Sequence, residues 1–294
     1  MAEIQLRYGN STALIDRRGA QIVSFKGSNG REALWSGNPD VWASHAPVLF
    51  PVCGSVRDDT VTIGGQPYPM TKHGFVRNAD FFVAKQGDDF VELIFTPTHE
   101  TRRMYPFDFV FHVTYTLVED GYTTTFLVEN KSDRAMPFCV GGHPGFRLPM
   151  EDGATFEDYQ LEFAEIEDGL LAQAPGGKLI EGYGHLPGFR NARVLPLSRE
   201  LFRHDALIFD GLKSRSVRLV HRVSGKGLHF SFPKMEVLAV WTKPVEEADY
   251  LCLEPWHGLP DKETESGCFE EKAYATLLDP GSCYKTWFTT TLIR

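Results

Sequence analysis

Apolar and polar residues alternate along much of the chain with a period of two. The clearest run is Phe107, Phe109, Phe111, Val113, Tyr115 and Leu117, with Asp108, His112, Thr114 and Thr116 mostly filling the places between. Successive side chains of a strand point to opposite faces, so the run predicts a long strand with one buried face. It leads into Glu119-Asp120-Gly121-Tyr122, where Asp-Gly predicts a tight hairpin with positive φ angles, and the chain returns through Thr123 to Val128. Shorter strands are predicted at Ile4 to Tyr8, Ala13 to Asp16, Gln21 to Phe25, Phe81 to Ala84, Val91 to Thr96, Val217 to Val223, Leu228 to Phe232, Val237 to Trp241 and Tyr284 to Leu292. Turn residues separate nearly all of them, and no capped helical stripe appears beyond one turn around His99 to Tyr105. A hairpin of this length needs a second sheet over its apolar face. The expected fold class is therefore all-β, a large many-stranded antiparallel β-sandwich. The Gly/Pro-rich segments 141–149 and 174–188 read as loops on that frame, and neither is a linker. With no repeat and no boundary, residues 1–294 read as a single domain.

Composition narrows the function. Twenty-two Phe, ten Tyr and five Trp are enough to fill a sheet-packed core without staples. A net charge of -9 and a pI near 5.6 argue against a nucleic-acid binder, which needs a basic face to neutralise phosphates. The five cysteines, Cys53, Cys139, Cys252, Cys268 and Cys283, are scattered and include no C-x-x-C pair, so they read as free thiols in a reducing compartment, without a metal site. The first residues lack the basic and apolar regions of a signal peptide, and no stretch is apolar enough to span a membrane. The expected location is the cytoplasm.

No G-x-S-x-G, P-loop, G-x-G-x-x-G or H-E-x-x-H pattern is present, which excludes the usual nucleotide and serine-hydrolase chemistries. Three polar segments stand out instead. In Lys72-His73-Gly74-Phe75-Val76-Arg77-Asn78, an extended segment would let His73 and Arg77 point into one concavity. In Gly141-Gly142-His143-Pro144-Gly145-Phe146, the glycines are expected to leave the imidazole accessible and Pro144 to bias His143 toward an extended conformation. In Leu251-Cys252-Leu253-Glu254-Pro255-Trp256-His257-Gly258, a carboxylate follows an apolar strand. Singly, each has an ordinary structural explanation: a satisfied core histidine, a Glu254–Arg77 pair, a core tryptophan.

Taken in order, H-G-F-x-R-N, G-G-H-P-x-F and E-P-W-x-G-x-P-D resemble the aldose 1-epimerase (galactose mutarotase) superfamily, and most closely its bacterial LacX-like branch. The resemblance covers the chain from about Leu14 to Leu292, including Pro47 to Val52 ahead of the first histidine. It implies that His143 is a general acid, Glu254 a general base, and His73 a second histidine near the reacting ring oxygen. It places Arg57 and Arg77 among arginines that bind substrate hydroxyls or, in one branch, a phosphate. It matches Asp205 to a sugar-binding aspartate, with Asp210 close enough to confuse the alignment. Trp256, Phe75 and Phe146 would supply apolar faces for a sugar ring.

The implied chemistry needs those residue types. Anomer exchange removes the O1 proton and delivers a proton to ring oxygen O5, so one acid and one base suffice, each contributing about 10²–10⁴ in rate. No metal or redox cofactor is required. Partial burial would raise the base's pKa, and a nearby carboxylate would hold the imidazole protonated near neutrality. The implied partner is a small-molecule sugar, with no nucleic acid or membrane, the chain acting as a monomer or homodimer. Alternatives are a hexose-6-phosphate mutarotase, with Arg57, Arg77, Lys72 or Arg102 holding the phosphate, and a non-catalytic carbohydrate-binding protein on the same fold.

Overall fold

The computed structural model describes residues 3–294. Its strands gather into two large antiparallel sheets. The first has nine strands in the spatial order Ala192–Pro196, Tyr159–Glu167, Ser216–His221, Gly227–Ser231, Cys283–Ile293, Gly121–Asn130, Phe109–Val118, Phe90–Phe95 and Phe82–Gln86. The second runs Gly182–His185, Leu170–Gln173, Leu207–Asp210, Val237–Trp241, Tyr250–His257, Val140–Gly142 and Val48–Leu49, with Gly145–Arg147 also paired to Tyr250–His257. A three-stranded sheet, Ile4–Tyr8, Ser11–Asp16 and Gln21–Lys26, precedes them in the chain.

The alternation in Phe109–Val118 translates directly into burial. Phe109, Phe111, Val113, Tyr115 and Leu117 are all nearly inaccessible, whereas their neighbours are half-exposed or exposed. Aromatic side chains meet in the core between the sheets: Phe146 packs on Phe230 at 5.8 Å between ring centroids, and Phe50, just past the strand Val48–Leu49, stacks on Phe111 at 4.7 Å. Each such ring removed from water stabilises the fold by roughly 1.5–3 kcal/mol. The short helix His99–Met104 occupies the one predicted helical turn and is capped by Thr98 and Thr101.

Several expectations change. The hairpin loop is Glu119-Asp120, with Val118 paired to Gly121, and the positive φ falls on Asp120, at 53°. Gly121 instead lies in the strand, where a Cβ would come within 2.5 Å of the Thr290 carbonyl oxygen. The segments read as loops contain the strands Val140–Gly142, Gly145–Arg147 and Gly182–His185. Glycines carry no side chain from which a period of two could be read. Among the described residues, no helix is long and apolar enough to cross a membrane.

Tyr250–His257 is buried along almost its whole length. Leu251 and Leu253 point into the main core, whereas Tyr250 and Cys252 join a smaller cluster with Trp35, Val41, Ala248, Trp42 and Trp241 on the opposite face. By the pleat, Glu254 belongs to that second face.

Candidate active site

A break in pairing creates the centre of the site. Val140 and Gly141 pair with His257 and Trp256, and Gly145 to Arg147 pair with Cys252 to Tyr250. His143 and Pro144 therefore fall opposite the middle of Tyr250–His257. Pro144 lacks the N–H to continue the ladder, although its carbonyl accepts from the Leu253 N–H at 3.2 Å. The outcome is a contact of 3.2 Å between His143 Nε2 and Glu254 Oε2. His143 is 8% exposed and Glu254 2% exposed.

The glycines around His143 serve packing and do not open it to solvent, contrary to expectation. A Cβ at Gly141 would lie 2.7 Å from Trp256, at Gly142 2.6 Å from Phe288, and at Gly145 2.6 Å from Trp42. Trp42 uses that space to stack on the imidazole, with centroids 5.2 Å apart, and Trp241 meets it edge-on at 5.8 Å.

His73 reaches the same place by a tight turn, not by the extended segment expected. Its φ is +66°, that of Gly74 is +73°, and a 3₁₀ turn follows at Val76–Asn78. A side chain in this left-handed region costs roughly 1–2 kcal/mol. Two hydrogen bonds to Gly54 hold it: the His73 N–H donates to the Gly54 carbonyl at 2.9 Å, and the Gly54 N–H donates to His73 Nδ1 at 3.1 Å. A ring nitrogen that accepts carries no proton, so neutral His73 has its proton on Nε2.

These residues line a cavity of about 210 Å³, together with Lys72, Arg77, Asp205, Trp42, Trp241, Trp256, Gly54, Gly177 and Pro260. Its floor is the strand that carries Glu254. Its rim is held by a buried ion pair between Lys272 and Asp261, whose side chains are 3% and 5% exposed. Asp261 also accepts from the Arg57 N–H at 3.0 Å, and its backbone bonds to Ser55 and Ile180 at 2.9 and 2.8 Å. Ser55 Oγ in turn donates to the Gly177 carbonyl at 2.7 Å. Three loops are thereby tied together around the opening.

Burial sets the protonation of the pair. Loss of solvent, reinforced by Arg77 and Lys72, pushes His143 down to about 3. Glu254 is raised well above the usual carboxylate range by burial; Lys72 and Arg77 oppose the rise and Asp205 adds to it. His73 is likewise held well below its ordinary value by burial and by His143. The expectation that a carboxylate keeps His143 protonated is thus reversed. Burial favours the neutral form of each side chain, so any proton the pair shares is drawn toward Glu254.

Of the residues singled out by sequence, His73, Arg77, His143, Asp205, Glu254 and Trp256 line this cavity. Asp205 and Asp210 separate clearly, because Asp210 accepts from the hydroxyls of Tyr183 and Tyr274 at 2.9 and 2.6 Å instead. Arg57 does not line the cavity: its guanidinium donates to the Lys262 and Glu263 carbonyls. Arg102 pairs with Asp108 at the surface, and Phe75 and Phe146 pack into the core. The apolar walls come from Trp42 and Trp241, which sequence reasoning missed; a Trp42 in a loop of no regular pattern gave little signal, and Trp241 was read only as the end of a strand.

Comparison with known proteins agrees with this architecture. The aldose 1-epimerase family model matches residues 2–270, and the chain belongs to that family. More narrowly, it falls in the LacX-like branch. It is 34% identical to the plasmid and chromosomal LacX proteins of Lactococcus lactis subsp. lactis, over 99% of either chain. It superimposes on a galactose mutarotase related enzyme from Lactobacillus acidophilus with a TM-score of 0.93 at 31% identity, covering 100% of this chain and 98% of that one. A galactose mutarotase-like protein from Lactobacillus casei gives 0.92 at 27% identity, with 99% and 100% coverage.

Proposed function

We propose that this protein is a mutarotase that interconverts the α and β anomers of an unphosphorylated aldohexose, with His143 as general acid and Glu254 as general base. The observation that carries this reading is the buried contact of 3.2 Å between His143 Nε2 and Glu254 Oε2 on the floor of a sugar-sized cavity. O1 and O5 hang on the same carbon, so an acid and a base at hydrogen-bond distance can address both from one side of the ring.

In ring opening, the Glu254 carboxylate takes the O1 proton while His143 Nε2 gives its proton to O5. The C1–O5 bond breaks and C1 becomes the aldehyde carbon. Rotation about C1–C2 and the reverse proton transfers close the ring as the other anomer. Opening starts from the ionised pair and ends with both groups neutral. That neutral state is the one burial favours, and it is also the state from which reclosure starts. Proton exchange between the two neighbouring groups returns the pair to that neutral state. Lys72 and Arg77 offset the Glu254 charge when the pair is ionised. His73, as an Nε2–H donor, is suited to hold O5 or O1 as charge develops, and Arg77, Asp205 and Trp256 to hold hydroxyls and the ring face.

No step in this scheme uses a metal or redox cofactor. Freshly dissolved pure anomers, free and phosphorylated, followed by polarimetry or anomeric proton NMR, test the reading. Faster equilibration of at least one aldose is expected, and none across a broad panel favours a non-catalytic sugar-binding role. A hexose-6-phosphate remains the second reading, because Lys72 and Arg77 both line the cavity. We read the chain as one domain acting in the cytoplasm, as a monomer or homodimer, on its contiguous core and free thiols.

A further inference from the structure

Cys252 has no part in the chemistry above, yet it sits two residues before Glu254, on the same face of the same strand. One donor atom each from His143, Cys252 and Glu254 lies within 4.8 Å of the others, and all three residues are buried. His143 has a further feature that the mechanism does not use: its Nδ1 is buried without a hydrogen-bond partner among the described residues. An imidazole, a thiol and a carboxylate with donor atoms this close together form a donor set suited to a thiophilic, four-coordinate cation.

We propose that His143, Cys252 and Glu254 form a binding site for Zn²⁺ or a similar thiophilic divalent ion, and that the ion inhibits the enzyme. Donors around a tetrahedral zinc stand about 3.3–3.8 Å apart. The His143–Glu254 contact of 3.2 Å already approaches this separation, so binding needs only a local closure onto Cys252. The ion displaces two protons to solvent: that of the Cys252 thiol, which coordination removes, and the one shared by His143 and Glu254. A dication held by one thiolate and one carboxylate is neutral overall, which suits a buried position. Lys72 and Arg77 repel a free dication, so affinity comes from the three bonds and not from the cavity's field. His143 and Glu254 reach the ion from the cavity wall and Cys252 from the buried cluster behind it. Binding of the ion is independent of the proposed function; the inhibition rests on it, since an ion on His143 and Glu254 removes both acid and base.

Full-length protein stripped with chelator is titrated with Co²⁺ and then Zn²⁺, without sugar. One Co²⁺ per chain is expected, with the visible bands of four-coordination and a thiolate-to-metal band in the near ultraviolet, all displaced by Zn²⁺. Cys252→Ala should abolish the thiolate band and weaken Zn²⁺ at least about tenfold, while mutarotation in chelator is unchanged and its Zn²⁺ inhibition is lost. A Cys268→Ser/Cys283→Ser variant, lacking the two thiols that are not buried, should keep the band. Absence of the band in the parent protein, its persistence in Cys252→Ala, or its loss in the Cys268/Cys283 variant overturns the site. Because the spectrum needs no turnover, lack of mutarotase activity would leave this test intact.

Discussion

Replacing Lys272 with methionine should destabilise the protein by about 3–5 kcal/mol, the usual consequence of leaving a buried charge without its partner. Lys272 contributes nothing to the cavity lining; its ammonium is spent on Asp261, and both side chains are nearly inaccessible. The methionine keeps most of the volume, so lost packing adds little. What is left is a buried carboxylate whose hydrogen-bond donor is the Arg57 N–H. Unfolding entropy scales at about 2.1 cal/mol/K per residue, or about 0.6 kcal/mol/K for 294 residues, so the midpoint of thermal unfolding should fall by about 5–8 °C. Calorimetry and urea titration at neutral pH measure both quantities. Neutralising the partner as well, in Lys272→Met/Asp261→Asn, keeps an acceptor for the Arg57 N–H and should restore at least half of the loss. A single variant that loses less than about 1 kcal/mol, or a double variant less stable than the single one, refutes the view that an unpaired charge is the source.

Glu254→Gln and His143→Asn should each abolish most turnover with little change in sugar affinity by calorimetry, and the double variant should be scarcely slower than the worse single one. Multiplicative losses would mean independent roles. In the plot of kcat/KM against pH, the acid limb should lie near the His143 value of about 3 and the alkaline limb above the ordinary carboxylate range; an alkaline limb at an ordinary carboxylate value would refute the burial of Glu254 as its cause. Arg77→Ala should raise KM whereas Arg57→Ala should leave it unaltered, since only Arg77 lines the cavity. His73 has a folded pKa below its unfolded one, so unfolding takes up a proton below pH 6.5 and stability is lost as pH falls, at up to about 1.4 kcal/mol per pH unit. His73→Asn, whose side chain tolerates positive φ, should flatten that slope in denaturant titrations; an unchanged slope would assign it to other groups.

The sandwich was legible because an alternating strand such as Phe109–Val118 records its buried face in its own letters. Tyr250–His257 shows the limit. It is buried on both faces and so loses the alternation, and only Glu254, a charge amid Leu, Cys and Trp, marks it as unusual. The three motifs pointed to His73, His143 and Glu254 because each places a polar group where packing alone would not. They could not show that Gly54 turns His73, or that a broken ladder sets His143 against Glu254, since both depend on residues far away in the chain. The placing of Arg57 outside the cavity lining was hidden for a related reason: its carbonyl partners at Lys262 and Glu263 have no side-chain signature.

The ring of aromatic walls makes the protein its own optical probe. Three of its five tryptophans, Trp42, Trp241 and Trp256, line the cavity, and two of them lie against the His143 imidazole. Intrinsic emission is therefore weighted toward the site, and a sugar that displaces water from indole faces alters it without any label. Stopped-flow mixing on that signal separates arrival of the ligand from the slower exchange of anomers, a distinction that polarimetry, which sees only the latter, does not make.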